Sequence, residues 1–159
     1  MHPNQATLEK FYSAFAQLDV DTMAACYAEN ARFDDAAFSL SGRGGIGGMW
    51  RMLCEAVKAK GRDVWKLEVS AITDNSAHWE PVYRFSATGR MVHNIIDAQF
   101  EFDGAGLIVR HTDSFDFWRW SRQALGAPGM LLGWTPFLRG KVRAQAGASL
   151  AKFLAQKAA

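Results

Sequence analysis

The sequence predicts an α+β domain in which helices come first and an antiparallel sheet follows. Up to Val57 the apolar residues recur mostly at helical spacing, whereas four runs between Val64 and Trp118 alternate apolar and polar residues. Turn-forming residues separate these four runs, and residues 103–106 have the composition of a hairpin loop. Strands joined by short turns pair antiparallel, so the four runs predict a meander and not the strand–helix alternation of a parallel sheet.

Three helices are predicted before the meander, with one strand between the second and the third. Their apolar positions are Leu8, Phe11, Tyr12, Phe15 and Leu18 in the first helix, Met23, Cys26 and Tyr27 in the second, and Ile46, Met49, Trp50, Leu53 and Val57 in the third. The strand covers residues 31–40, and on it Phe33 and Asp35 share a face.

The four predicted strands of the meander cover residues 64–72, 77–87, 91–102 and 108–118. On the third of them, Asn94 lies on the apolar face, whereas His93 lies on the polar face. Beyond the sheet, residues 140–157 predict an amphipathic helix that covers a sheet edge or the mouth of a cavity. The apolar stripe of this helix consists of Val142, Ala146, Leu150 and Phe153.

Composition indicates one folded domain, because 49% of the 159 residues are apolar and they include six Trp and eleven Phe. The aromatic residues are either core fillers or the lining of a cavity for an apolar ligand. Cys26 and Cys54 lack CxxC spacing, which favours free thiols and a reducing, cytoplasmic location. We expect neither a secretory leader nor a membrane span, since no apolar run reaches ~18–20 residues.

Charge is divided unevenly along the chain, although the formal net charge is only +2. After Asp116 the sequence contains seven Lys or Arg residues and no Asp or Glu. Such a basic tail suits nucleic acid, an anionic lipid surface, or the acidic body of the same chain or a second copy. We expect the last of these, and no binding to nucleic acid.

The strand at residues 108–118 carries the candidate functional residues. Because side chains alternate between the two faces of a strand, His111 and Asp113 are neighbours on a face that is otherwise apolar and includes Phe115. The two residues form either a mutually satisfied structural pair or the polar end of a pocket. In a pocket, burial would raise the pKa of a carboxyl group such as Asp113 or Asp35, and His111 would shuttle protons.

Two further patterns favour simpler interpretations. Residues 42–47 match GxGxxG, but without a parallel sheet they predict a tight strand-to-helix turn rather than a nucleotide site. The histidines are not closely spaced, and His93 and His111 fall on different faces of their strands. We therefore expect no metal site.

Two segments resemble the nuclear transport factor 2-like superfamily and, within it, the SnoaL-like and ketosteroid-isomerase-like branch. Residues 18–35 (LDVDTMAACYAENARFDD) resemble its second helix running into its first strand, and residues 100–116 (FEFDGAGLIVRHTDSFD) resemble its closing hairpin. The resemblance implies a cone-shaped curved sheet wrapped around N-terminal helices, a deep apolar pocket and a homodimer. We accordingly expect a SnoaL-like cone domain over residues 1–120 and a basic helical extension over residues 121–159, packed on the same domain.

The resemblance also implies roles for single residues. The general base of the ketosteroid isomerases corresponds to Asp35, but their oxyanion-hole acid falls at Ala98. Polyketide cyclases and limonene epoxide hydrolases use an Asp on the last strand as acid or base, and Asp113 matches that position. The epoxide hydrolases also have Arg-x-Asp on an earlier strand, where Arg84-Phe-Ser86 lacks the Asp.

Together, these observations predict a protein that binds a small apolar molecule and acts as a cofactor-independent acid–base enzyme of the isomerase, cyclase or hydrolase type. Asp113 would move the proton, His111 would orient it, and Asp35 would be a second carboxylate. The expected ligand-binding residues are Tyr12, Trp50, Trp79, Tyr83, Asn94 and Phe115. The alternative is a binding or dimerisation module without turnover, in which the His–Asp pair is structural.

Overall fold

The computed structural model describes residues 1–158, which form six helices and a seven-stranded sheet. The helices are Pro3–Ala16 (α1), Val20–Ala25 (α2), Arg43–Lys60 (α3), Phe117–Leu125 (α4), Ala127–Leu132 (α5) and Pro136–Ala158 (α6). The strands are Tyr27–Asp34 (β1), Ser39–Ser41 (β2), Lys66–Ser70 (β3), Ser76–Arg84 (β4), Met91–His93 (β5), Ile96–Phe102 (β6) and Ile108–Ser114 (β7). The predicted α+β class is confirmed.

The strands form one curved, unclosed sheet in the order β2-β1-β7-β6-β4-β3, and β5 also pairs with β4. Strands β3, β4, β6 and β7 pair antiparallel, as the meander predicts. The sheet is nevertheless mixed, because β1 pairs with β7 in parallel. A parallel pair needs a long connection, and here β2, α3 and the strands β3 to β6 lie between β1 and β7 along the chain.

The strand predicted over residues 31–40 is divided into β1 and β2, and Asp35 lies in the turn between them. The Asp35 Oδ1 atom accepts hydrogen bonds from the backbone N–H groups of Ala37 and Phe38, both at 2.7 Å. A short polar side chain bonded to the following backbone stabilises a turn in competition with a strand. The turn, and not pairing within a strand, therefore fixes the orientation of the Asp35 side chain.

The strand predicted over residues 91–102 is also divided, into β5 and β6, and Asn94 lies at the break. The Asn94 backbone N–H donates to the Pro81 carbonyl at 3.1 Å, and its side-chain Oδ1 accepts from the N–H of Ile95 at 3.1 Å. Asn94 is buried, but its side-chain oxygen is occupied by its own backbone neighbour.

The concave face of the sheet packs on the N-terminal helices through aromatic side chains. Phe11 and Phe15 of α1 contact Trp50 of α3 with ring centroids 5.9 and 5.0 Å apart, and Phe15 lies 5.4 Å from Trp79 of β4. Each such buried side chain contributes about 1.5–3 kcal/mol to folding. This core lies against the inner face of β7 and positions the residues described below.

Of the glycine-rich stretch at residues 42–47, only Gly42 forms the strand-to-helix turn that the sequence predicts, because Gly44, Gly45 and Gly47 already lie within α3. Gly42 precedes α3 with φ of 90°, a conformation that glycine adopts without steric cost. The strands β1 and β2 before it are antiparallel, whereas a dinucleotide motif needs a parallel strand–helix–strand unit.

The C-terminal helices pack against the rest of the fold at two places, α4 against β5 and α6 against α3. Phe117 and Trp120 of α4 form a second apolar cluster with Val92, which Tyr83 and Phe115 adjoin. Helix α6 packs on α3, and its Leu150 enters the main core. The rest of its predicted stripe, Val142, Ala146 and Phe153, is partly buried. Among the described residues, none of the helices combines the length and the apolar character needed to cross a lipid bilayer.

Candidate functional site

His111 and Asp113 lie together on the inner face of β7, as the alternation predicts. Their side chains are joined by a hydrogen bond of 2.8 Å between His111 Nε2 and Asp113 Oδ1. His111 is 0% exposed and Asp113 is 5% exposed. The rings of Phe33 and Phe100 pack on the imidazole with centroids 4.9 and 4.3 Å away. The pair is therefore almost dry, and its polar atoms depend on protein partners.

A chain of hydrogen bonds continues from this pair into the core. Trp50 Nε1 donates to the Tyr27 hydroxyl at 3.0 Å, and this hydroxyl lies 2.8 Å from His111 Nδ1. Trp79 Nε1 donates to Asp113 Oδ1 at 3.3 Å. One proton arrangement uses every donor: Tyr27 donates to Nδ1, and His111 Nε2–H donates to Asp113 Oδ1.

Tyr27 belongs to this hydrogen-bond network, although its spacing from Met23 and Cys26 predicts a helix. Strand β1 begins at Tyr27 and pairs with β7 there, opposite Ile108. The hydroxyl thus reaches His111 across two neighbouring strands. Burial raises the pKa of Tyr27 well above its ordinary value, so the hydroxyl keeps its proton for donation.

Tyr12 of α1 has a buried hydroxyl that no described residue hydrogen-bonds. Burial and, secondly, the negative charge of Asp113 raise the pKa of Tyr12 well above its ordinary value. The Asp113 charge is therefore close enough to act on this hydroxyl. The second carboxylate oxygen of Asp113, Oδ2, also makes no hydrogen bond within residues 1–158. Both residues adjoin Trp79, whose ring centroid lies 6.1 Å from that of Tyr12 and whose Nε1 atom donates to Asp113 Oδ1.

Asp35 supplies a second carboxyl group near Asp113. Desolvation raises the pKa of Asp35 to about 6; the charge of Asp113 adds to this effect, while the backbone N–H groups of Phe38 and Ala37 and the charge of His111 oppose it. The proton occupancy of Asp35 therefore changes around pH 6.

Tyr83 lies on the far side of Asp35, at the second apolar cluster. Its hydroxyl accepts a hydrogen bond of 2.9 Å from Trp120 Nε1. Burial raises the pKa of Tyr83 to about 12, and the charge of Asp35 contributes in the same direction. Helix α4 thus reaches the neighbourhood of Asp35 through Trp120.

Apart from Tyr83, the residues expected to bind a ligand fall into two groups. Tyr12, Trp50 and Trp79 are buried beside the His–Asp pair, and the two tryptophans use their indole N–H groups within the network. Asn94 and Phe115 instead line an open groove of about 420 Å³. Phe115 also packs against both apolar clusters. The sequence does not separate these groups, because burial beside the network or exposure in a groove depends on how distant segments pack.

Metal-ligating side chains are not gathered at this site. Across residues 1–158, no group of three or more His, Cys, Asp or Glu residues is placed to hold a metal ion. His93 lies on the outer face of the sheet, where its Nε2 atom is 2.9 Å from Glu80 Oε1.

A curved, unclosed sheet around helices defines the cone-shaped α+β class of small domains, and this chain carries a buried His–Asp pair on the last strand of its sheet. The SnoaL-like domain family matches residues 8–111. The chain belongs to this family. No curated protein matches the chain significantly.

Solved structures share this fold. A candidate polyketide cyclase from Xanthomonas campestris pv. campestris is 19% identical, with 76% of this chain and 96% of that chain covered and a TM-score of 0.55. An LEH-like epoxide hydrolase from M. tuberculosis is 18% identical, with 81% and 92% covered and a TM-score of 0.55. A candidate isomerase from Bacillus subtilis is 18% identical, with 78% and 93% covered and a TM-score of 0.56. At these identities the similarity establishes the fold alone.

Proposed function

We propose that the protein is a cofactor-independent acid–base enzyme that acts on a small apolar molecule, with Asp113 as the proton-transferring group. The observation that carries this proposal is that two residues adjoining Trp79, Tyr12 and Asp113, each keep a side-chain oxygen without a hydrogen-bond partner among the described residues. A buried hydroxyl without a partner costs about 1–3 kcal/mol. Such a cost is retained where the group meets a ligand.

Each group has a defined task in this mechanism. His111 and Trp79 hold Asp113 Oδ1, so Oδ2 is the oxygen that takes a proton from a carbon acid or from an attacking water. The Tyr12 hydroxyl donates a hydrogen bond to the substrate oxygen on which negative charge develops. Asp35, with a pKa of about 6, returns or accepts the second proton at neutral pH.

Substrate access requires side-chain movement, because Asp113 is closed off in this structure. Phe115 is the residue through which we expect the entry to open, since it packs between the main core and the cluster below α4. Rotation of this ring would join the groove at Asn94 and Phe115 to the interior. The apolar walls that would then line the path fit an apolar ligand.

A binding module without turnover is the second candidate function. The observation that favours it is the completeness of the chain from Trp50 through Tyr27 to His111 and Asp113, which needs no ligand to satisfy its donors. In this case the His–Asp pair only stabilises the sheet.

Asp113→Asn distinguishes the two functions. The assays are α-proton exchange in deuterated water with a panel of small apolar ketones, followed by NMR, and hydrolysis of small apolar epoxides. We expect a loss of at least about 100-fold in the enzyme-dependent rate, with the circular dichroism spectrum retained. Asp74→Asn, at an exposed turn carboxylate, is the control and should keep the rate. Unchanged turnover in Asp113→Asn would refute the proposal, and a loss of stability alone would favour the module.

Three further parts of the proposal concern the whole chain. We infer a homodimer, for which the outer sheet face offers exposed positions such as Gln99 and Glu101 that no helix covers. We infer a reducing cytoplasmic location, which the free, buried thiols of Cys26 and Cys54 support. We also propose that residues 1–120 are the cone domain and residues 121–159 its basic extension.

A further inference from the structure

An exposed apolar surface lies where α5 ends and α6 begins. We define the apolar tip as Met130, Leu131, Leu132, Trp134 and Phe137. Leu131, Trp134 and Phe137 are 69%, 71% and 65% exposed. Five large apolar side chains within eight residues form a contiguous exposed patch, and such patches mark interaction sites.

Two indole hydrogen bonds and one close-packed glycine hold the backbone of the apolar tip. Trp118 Nε1 of α4 donates to the Met130 carbonyl at 3.1 Å, and Trp134 Nε1 donates to the Leu131 carbonyl at 3.1 Å. Gly133 is buried and packs so closely on Ser121 and Trp118 that a Cβ atom at this position would collide with them. The fold therefore fixes the tip with its apolar side chains pointing outward.

Positive charge surrounds the tip. An open groove of about 620 Å³ beside Met130 is lined by Arg90, Arg119 and Arg122, and none of these guanidinium groups forms an ion pair with a described residue. The Lys141 ammonium lies 5.6 Å from the centroid of the Phe137 ring. Since no Asp or Glu follows Asp116, the cations of α4 to α6 face no carboxylate on their own helices.

We propose that this face docks on an anionic phospholipid bilayer, with the apolar tip inserted among the headgroups and the arginine groove binding lipid phosphates. Exposed Trp, Phe and Leu side chains beside Lys and Arg are the combination that binds the membrane interface without spanning it. The proposal rests on the tip and its charges, and it is independent of the proposed function.

Two other occupants fit the same surface less well. A symmetric dimer joined through the tip would place two cationic surfaces against each other. A contact between the tip of one chain and the acidic body of another chain is not symmetric, so it would not form a closed dimer. Nucleic acid would complement the charge but would leave the aliphatic side chains of Leu131 and Met130 in water.

Vesicle co-sedimentation tests the proposal with the full-length protein. The probes are vesicles of phosphatidylcholine alone and of an equimolar mixture with phosphatidylglycerol. We expect binding to the mixed vesicles that weakens as salt is raised, and at least about ten-fold weaker binding to phosphatidylcholine alone.

Two double variants separate insertion from charge. Trp134→Ala with Phe137→Ala should weaken binding at least about ten-fold, because it removes the inserted rings. Arg122→Gln with Lys141→Gln should weaken it about twenty-fold at low salt. Lys10→Gln with Lys58→Gln removes the same charge from exposed sites on α1 and α3 and should leave binding unchanged. All these side chains are exposed, so unfolding temperatures should match the parent protein, apart from the small effect of losing the Trp134–Leu131 hydrogen bond in the tip variant.

Three results would overturn the proposal. The first is equal sedimentation with both kinds of vesicle, and the second is an equal loss in the α1/α3 control, which would indicate an effect of net charge alone. The third is a tip variant that still binds vesicles but no longer self-associates without them, or no longer binds a DNA duplex at the same salt.

Discussion

The Asp113 carboxyl group lies in a nearly dry core, where its Oδ1 atom accepts hydrogen bonds from both His111 and Trp79. On the other side of the imidazole, the Tyr27 hydroxyl donates to Nδ1. The ring proton is then on Nε2, where it faces the Asp113 carboxyl group. Tyr12 lies in the same core but stays unsatisfied. Two buried tyrosines thus differ in their hydroxyl groups: that of Tyr27 is bonded to His111 and Trp50, and that of Tyr12 has no partner among the described residues.

Tyr27→Phe and Tyr12→Phe form a matched pair of variants at the residue scale. Tyr27→Phe leaves Trp50 Nε1–H and His111 Nδ1 buried without a partner, so we expect a loss of about 2–4 kcal/mol in the free energy of unfolding. Tyr12→Phe removes an unsatisfied group and should leave stability unchanged or slightly raised. Urea denaturation measures both, and equal losses in the two variants would contradict the hydrogen-bond assignment.

Asp35 predicts a pH dependence of stability. Its pKa rises from 3.8 to about 6 on folding, so the folded state binds this proton more tightly and the group costs stability as pH rises through that range. Asp35→Asn keeps an Oδ1 acceptor for the turn and removes this cost. The variant should be about 2–3 kcal/mol more stable at pH 8, and the difference should vanish near pH 4. Denaturant midpoints across this range measure it, and a pH-independent difference would refute the assignment.

At the scale of elements, close approach of α6 to α3 depends on glycine. A Cβ atom at Gly48 would meet the side-chain end of Leu154, whereas one at Gly45, a turn earlier on α3, would meet nothing within 4 Å. The absence of a side chain at Gly48 therefore lets α6 lie flat on α3, with Leu150 in the main core. Helix α4 is positioned differently, by the Asp116 side chain, which accepts from the N–H of Arg119 and caps its first turn.

Gly48→Ala and Gly45→Ala test this packing. Gly45→Ala should stabilise the protein by about 0.5–1 kcal/mol, because alanine favours the helix. Gly48→Ala gains the same propensity but displaces Leu154, so we expect it to be about 1 kcal/mol less stable than Gly45→Ala. Thermal unfolding gives the difference, and limited proteolysis should show earlier cleavage in α6 of Gly48→Ala. Identical behaviour of the two variants would mean that α6 does not need the close approach.

The whole molecule has three surfaces with different characters. The concave sheet face is closed by α1, α3 and the C-terminal helices, the outer sheet face is polar and uncovered, and the apolar tip with its cations points to solvent. Because these surfaces are separate, a dimer through the sheet and docking through the tip can coexist.

Oligomeric state is the prediction at this scale. We expect light scattering to give twice the monomer mass. Gln99→Arg should return it to the monomer mass, since a symmetric interface places the added charge near its own copy. Trp134→Ala with Phe137→Ala should leave the dimer intact. A monomer mass for the unaltered protein would refute the homodimer proposal. A monomeric tip variant would indicate that the dimer interface includes the apolar tip.

Sequence alone determined the features that depend on local periodicity. The two-residue repeat of a strand places His111 and Asp113 on one face whatever surrounds them, and helical spacing predicts the α6 stripe that ends on Leu150 and Phe153. The tertiary structure decided which distant groups meet: Tyr27 and Trp50 complete the His111 network, and Tyr12 is left without a partner. It also decided that β1 runs parallel to β7 and that the site is packed shut. The physical reason is that periodicity is a property of the backbone of one segment, whereas hydrogen-bond partners and cavities arise only where separate segments pack.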